Sequence, residues 1–215
     1  MAWISLARLG STLNFRKMVK HDLRTFGFVI IGFALATWVF LIWFHHGFHL
    51  EKIGIGDLGQ ISSVVSINVL FWTLFIKYLW KLPIFRGWLI QVPDLSGEWN
   101  GEMKSNWRNE KGELTEPISA TVVISQSLFH INVRVETKEM KSNSSAASLD
   151  IDSDRGYKNL WYSYRSTPRA EVRGRSQMHY GSVVLSISDD NSTLDGHYWT
   201  DRQTIGDMSL KRIVK

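Results

Sequence analysis

ISATVVISQSLFHINVRVET, residues 118–137, holds two runs of alternating character separated by Ser127 and Leu128. In the second run Phe129, Ile131, Val133 and Val135 share one parity, and His130, Asn132, Arg134 and Glu136 the other. Successive side chains of a strand point to opposite faces, so this is a strand with one buried side, and the apolar set is the inner one. The spacing predicts strands over 118–126 and 129–137.

The same texture extends in both directions. From Asp94 onward the chain predicts eight strands, at 95–107, 118–126, 129–137, 145–152, 157–166, 176–188, 193–202 and 205–213. Turn signals stand at Asn109-Glu110-Lys111-Gly112, Asp154-Arg155-Gly156 and Asp189-Asp190-Asn191. No stretch of this region has a period of 3.6. Eight consecutive strands in residues 94–215 suit an all-β eight-stranded up-and-down barrel, with a two-sheet sandwich as the other architecture.

Parity then assigns an interior. Strand one places Leu95, Gly97, Trp99, Gly101 and Met103 inside. Strand five places Leu160, Tyr162 and Tyr164 there, and strand eight Gly206, Met208, Leu210 and Arg212. Strand seven contributes Leu194, Gly196, Tyr198, Thr200 and Arg202. Buried hydroxyls and guanidinium groups need partners, so a barrel without a ligand would favour Val, Leu and Ile at these positions. Trp99, Tyr162, Tyr164, Tyr198, Thr200 and Arg202 together offer flat rings for a base and a cation with hydroxyls for a phosphate. They are the candidate ligand-binding residues. The other reading puts the tyrosines at the rims with their hydroxyls in water. An arginine-rich connection (Arg165, Arg169, Arg173, Arg175) either closes over an anion or is a solvated loop balanced by nearby acids.

The first 93 residues are different. They carry 9 Lys and Arg against 3 Asp and Glu, a net of +6, whereas residues 94–215 carry 16 against 17. Phe26 to Phe44 (FGFVIIGFALATWVFLIWF) has no charge over 19 residues. As a helix it rises about 28 Å, close to the thickness of a bilayer core. Ile61 to Trp80 (ISSVVSINVLFWTLFIKYLW) is a second candidate span, its one cation, Lys77, near the end where it can snorkel. Tryptophans and tyrosines stand where an interfacial belt would be. A signal peptide is a poor match, because the first run is long and no small-x-small site follows it.

Arg8, Arg16, Lys17, Lys20 and Arg24 precede the first span, and Lys81 and Arg86 follow the second. The loop 45–60 has only Lys52, beside Glu51 and Asp57. Positive flanks on the outer sides predict both termini in the cytoplasm. The expected organisation is a basic N-terminal segment, 1–25, then two transmembrane helices within 26–92, then the barrel, 94–215. The charge distribution disfavours a DNA- or RNA-coating protein. Ser62, Ser66 and Thr73 lie near one helical face of the second span, with Asn68 at apolar depth. Such a face joins helices of several copies, or holds the two spans of one copy together.

Reaction chemistry is sparse. There is no cysteine, no nucleophile elbow, no phosphate-binding Gly-rich loop and no His-Glu-x-x-His. No catalytic residue, metal or cofactor is therefore expected. His45, His46 and His49 read as exposed residues beside an interface. Asp150, Asp152 and Asp154 read as an acidic face, since no calcium-loop pattern completes them. A cytosolic barrel makes the sequons at Asn143 and Asn191 irrelevant.

The opening Asp94-Leu95-Ser96-Gly97-Glu98-Trp99-Asn100-Gly101, the strand Leu160-Trp161-Tyr162-Ser163-Tyr164, and the closing Gly196-His197-Tyr198-Trp199-Thr200-Asp201-Arg202 with Gly206 shortly after carry a resemblance. With two spans ahead of them, they resemble the two-transmembrane, β-strand-rich effectors of bacterial CBASS anti-phage systems. The likeness covers nearly the whole chain in architecture, although Leu-x-Gly-x-Trp also occurs in lipocalin-like barrels. The resemblance implies a barrel that binds a cyclic dinucleotide made by a partner nucleotidyltransferase. It implies association of the spans into a homo-oligomer, disruption of the inner-membrane lipid and death of the infected cell. A membrane-tethered barrel for a lipid or other small hydrophobic ligand is the alternative, against which Arg202 and the tyrosines count. A membrane hydrolase is the weakest reading.

Overall fold

Inward-facing apolar side chains on every strand, mostly Val, Ile and Leu but Trp99 and Met103 on the first, drive the eight strands to close on one another. In the computed structural model, which describes residues 25–45, 47, 59–87, 89–108, 111–152 and 155–213, β1 (Gly97–Ser105), β2 (Ile118–Gln126), β3 (Ile131–Thr137), β4 (Met140–Asp152), β5 (Tyr157–Pro168), β6 (His179–Ile187), β7 (Thr193–Thr200) and β8 (Ile205–Arg212) pair in sequence order. β8 returns to β1, closing an antiparallel barrel. Residues 1–24 of the expected segment 1–25, most of the loop 45–60, His46, His49, Trp88, Asn109, Glu110 and Asp154 lie outside the described residues.

Two helices precede the barrel, α1 (Thr25–His45) and α2 (Ile61–Lys77). The chain divides into two compact units, residues 1–91 and 92–215. Among the described residues α1 is the helix long and apolar enough to cross a membrane by length and composition. The expected second span, 61–80, is shorter as a helix. Tyr78 leaves the α region at φ −132°, and tight 3₁₀ turns follow at Leu79–Lys81 and Pro83–Phe85. Aromatic rings join the two helices: Phe33 stacks on Phe71 at 4.1 Å, and Phe26 meets Trp72 edge-on at 5.2 Å.

The barrel interior is filled. Leu95, Trp99, Val122, Ile124, Val133, Leu160, Tyr162, Val183, Leu185, Leu194, Met208 and Leu210 form one buried cluster. Truncating one of these leucines to Ala costs about 2–5 kcal/mol in cores of this kind.

Several strand limits differ from expectation. Phe129 does not line the interior; it is 64% exposed in the β2–β3 turn, where Ser127 N–H bonds the carbonyl of His130. β4 starts five residues earlier than expected, because Met140–Ser144 is polar yet folds straight back from the Lys138-Glu139 turn. It pairs with β3 only from Lys141 to Asn143. A bulge between Ser144 and Ala146 then bends it, and the remainder pairs with β5 alone. Val133 N–H reaches Ser144 Oγ at the point of separation.

Candidate functional site

The ends of β1, β3, β5 and β7 and the starts of β2, β4, β6 and β8 form one mouth of the barrel, and four of the candidate residues gather there. Tyr164 and Tyr198 point inward from β5 and β7 and are buried. Each ring lies across a glycine of the neighbouring strand, Tyr164 on Gly181 and Tyr198 on Gly206. A Cβ built on Gly206 would stand 2.7 Å from Tyr198 Cε1, so the glycine is what admits the ring. Burial raises both phenol pKa values, so both rings stay neutral donors. For Tyr198 a hydrogen bond with Ser105 offsets part of that rise.

His179 opens β6 beside Tyr164, with ring centroids 6.3 Å apart and planes at 79°. Its Nδ1 is enclosed without a hydrogen-bond partner. Burial lowers its pKa, and so does the Arg202 cation, against smaller opposing effects of a backbone bond at Gln177 and of Asp201. Nearby, Ser142 Oγ donates to Ser166 Oγ at 2.9 Å in a buried pair. His179, Ser142 and Ser166 are not among the residues that the sequence singles out. The parity of His179 with Gly181 and Val183 on β6 would have found the first.

Arg202 is not inside the barrel. β7 ends at Thr200, and the chain turns through Asp201, Arg202 and Gln203, with Gln203 at φ +61°. Parity fails where a strand stops. The register of β7 is nonetheless as expected, with Tyr198 inside and Trp199 42% exposed. Arg202 is exposed at the mouth, where Nη1 donates to Ser176 Oγ at 3.3 Å. Thr200 caps this turn: its Oγ1 accepts from Arg202 N–H and Thr204 N–H, both at 3.3 Å. Two candidates lie deeper. Tyr162 is 1% exposed, its hydroxyl directed at Met208 Sδ, 3.8 Å away. Trp99 is wholly buried towards the opposite end, its Nε1 donating to Leu95 O at 3.0 Å and its face covered by the Arg212 guanidinium at 5.5 Å.

The arginine-rich connection is largely engaged elsewhere. Arg169 approaches Glu136 at 3.8 Å, Arg175 pairs with Glu139, and Arg165 is exposed on the outer wall. A separate groove of 780 Å³ crosses the outer wall of β1–β3, where Asn100, Glu102, Thr121, Arg134 and Glu136 mix both charge signs. Among the described residues no group of three or more His, Asp or Glu is placed to hold a metal ion. On α2, Ser62, Ser66 and Thr73 are exposed; the hydroxyls of Ser66 and Thr73 donate to carbonyls of their own helix, and that of Ser62 to the carbonyl of Gly59 just before it. Asn68 is half-buried; its Nδ2 donates to Val64 O at 2.9 Å, while its Oδ1 is enclosed without a partner.

Residues 90–212 match the family described as the Cap15 cyclic dinucleotide receptor domain. A protein of Staphylococcus schleiferi named CD-NTase-associated protein 15 is 29% identical over 159 residues, which cover 74% of this chain and 82% of its own. A protein of the same name from Yersinia aleksiciae is 27% identical over 188 residues, 86% of this chain and 85% of its own.

Proposed function

The chain belongs to the Cap15 cyclic dinucleotide receptor family, and from that premise we propose that its barrel is a sensor of a cyclic dinucleotide, bound at the mouth made by Tyr164, Tyr198, His179 and Arg202. The observation that carries the placement is the convergence, at one end of a filled barrel, of two buried tyrosine rings, an unpartnered imidazole nitrogen and an exposed guanidinium. Bases stack on aromatic rings, and an imidazole nitrogen with no partner bonds a base edge. Arg202 at the rim meets a phosphate by exchanging its neutral contact with Ser176 for a charge-assisted one. Thr200 holds the turn that presents Arg202. Tyr162 and Trp99 form the floor and far wall that keep the mouth rigid. A lumen packed with Trp99, Tyr162 and leucine leaves little support for a lipid occupant.

The output is read as membrane disruption in an anti-phage response. Residues 26–44 and 61–80 cross the bacterial inner membrane, residues 1–25 and the barrel lie in the cytosol, and ligand binding shifts the chain to a homo-oligomer through α2. Support comes from the positive flanks and from the polar face of α2. Ser62, Ser66 and Thr73 are exposed, whereas Phe71 and Trp72 pack on α1. That arrangement favours contact between copies over contact within one. No chemical step is assigned to the chain, in keeping with a receptor family.

Titration calorimetry of the barrel, residues 92–215, against cyclic di-GMP, cyclic di-AMP and cyclic GMP-AMP tests the reading. One of them should bind, and Arg202→Ala should weaken it about 10- to 150-fold, the loss of one charge-assisted bond. Arg134→Ala, in the outer groove, should leave affinity unchanged. Loss with Arg134→Ala instead of Arg202→Ala would move the site to the groove. Binding of no cyclic dinucleotide by the unaltered barrel would refute the sensor.

A further inference from the structure

Eight strands close the barrel, but one stretch of wall is a single ladder deep. β4 from Ala146 to Asp152 pairs with β5 on one side, and among the described residues no strand pairs with its other side. Every backbone N–H and C=O along that side needs water or a partner. Natural sheet edges are blunted by proline, by charged side chains (lysine above all), by bulges or by extreme shortness. Here the edge reads Ala146-Ala147-Ser148-Leu149-Asp150-Ile151-Asp152, with neither proline nor lysine; its charges are Asp150 and Asp152, and the bulge lies before it, so seven regular residues remain open. Its inward side chains, Ala147, Leu149 and Ile151, are half-buried or buried, while Ser148 and Asp150 are exposed. Asp152 is already committed: its Oδ1 accepts Arg155 N–H at 2.9 Å, and its Oδ2 lies 3.8 Å from Arg155 Nε.

We propose that this edge is a docking surface for a second copy of the chain, joined by antiparallel pairing of β4 with β4 about a two-fold axis. An antiparallel edge is complementary to itself under such an axis. The regular ladder beyond the bulge runs from Ala146 to Asp152 and is centred on Leu149, which fixes the register. Leu149 then faces Leu149 of the partner subunit, Ala147 faces Ile151 of the partner subunit, and Ser148 faces Asp150 of the partner subunit. A slip of one residue would turn the apolar row to the wrong face. A slip of two towards the strand end would set Asp150 against itself, and like charges directly opposite destabilise a sheet. In the centred register Asp150 meets only Ser148 and Asp152 meets only Ala146; a slip of two towards the bulge also avoids opposed charges but shortens the ladder to Ala146–Asp150, so charge and ladder length together select the centred pairing. The contact needs no ligand and is independent of the sensor mouth, which lies at the far end of β4.

The chain contains no cysteine, so introduced thiols report without background. Full-length protein in native membranes carrying Ser148→Cys together with Asp150→Cys should form a disulfide-linked dimer under mild oxidation, since directly opposed strand residues fall within disulfide range. Ser148→Cys alone should cross-link weakly, because its nearest equal is displaced by two residues. Ala146→Cys with Asp152→Cys is a second pair expected to cross-link, and it stands in if the first pair lowers the melting temperature. Ser209→Cys with Lys211→Cys, on the outer wall of β8, sets the background. Both β4 pairs staying at that background, in protein that melts like the wild type, would overturn the proposal. Nucleotide binding is measured separately by calorimetry, so failure of the docking surface leaves the sensor standing, and the converse holds.

Discussion

Tyr198 and Tyr164 owe their positions to residues with no side chain. At Gly206 and Gly181 an added methyl group would collide with the ring above and with backbone across the ladder. Gly206→Ala should therefore destabilise the barrel by about 1–3 kcal/mol through overpacking. It should also weaken nucleotide binding by displacing Tyr198. A melting temperature equal to that of the wild type would show that the ring does not need the glycine. His179 adds a dependence on pH. Its folded pKa lies below the unfolded value of 6.5, so the unfolded chain takes up the proton first as pH falls. Stability then declines as pH drops through 6.5 towards the folded pKa, and it levels off below that. Thermal melts from pH 7.5 to pH 5 should show this decline, and His179→Gln should flatten it. A slope unchanged by the substitution would place the titration elsewhere.

Individual elements were legible to different degrees. β2 is legible to its observed limits because an alternation broken only by the exposed Val123 is bounded on both sides by polar turn residues. β7 was read in the correct register, so Tyr198 and Trp199 fell on their true faces. Its end was not legible: nothing in Thr-Asp-Arg-Gln forbids a strand, and the turn is set by the return of β8 to pair with it. Arg202 therefore moved from the lumen to the rim. The start of β4 is not legible because Met-Lys-Ser-Asn-Ser has no apolar alternation; tertiary pairing with β5 imposes the strand there. The helices were legible by length, but which face of α2 turns outward was not, since that depends on Phe33 and Phe26 of α1. That outward face yields a prediction. Replacing Ser62, Ser66 and Thr73 with Leu should remove helix contacts worth up to ~1–2 kcal/mol each. Ligand-triggered dye uptake in cells should fall accordingly. Asn68→Leu, on a half-buried position, should retain more of the response; equal loss from both variants would contradict the division of faces.

For the whole molecule, the two compact units should separate sensing from killing. The isolated barrel, residues 92–215, should bind its nucleotide with full affinity and leave cells intact, and only the full chain should admit dye; toxicity of the barrel alone would refute the role of the helices. The way the barrel closes decides how it bears a pull on the segment that precedes it. The segment leading from the helices enters at β1, which is bonded along its length to β2 on one side and β8 on the other. Arg212, at the end of β8, ties the carbonyls of Asp94 and Ser96 at that entrance. A tug transmitted along the chain therefore loads two ladders in shear, where many bonds must yield together. It does not peel a lone strand from an edge, where bonds would yield one at a time. Mechanically the barrel is a stiff handle riveted at its point of attachment, so a pull on the preceding segment is shared between two ladders instead of being spent on unravelling the receptor.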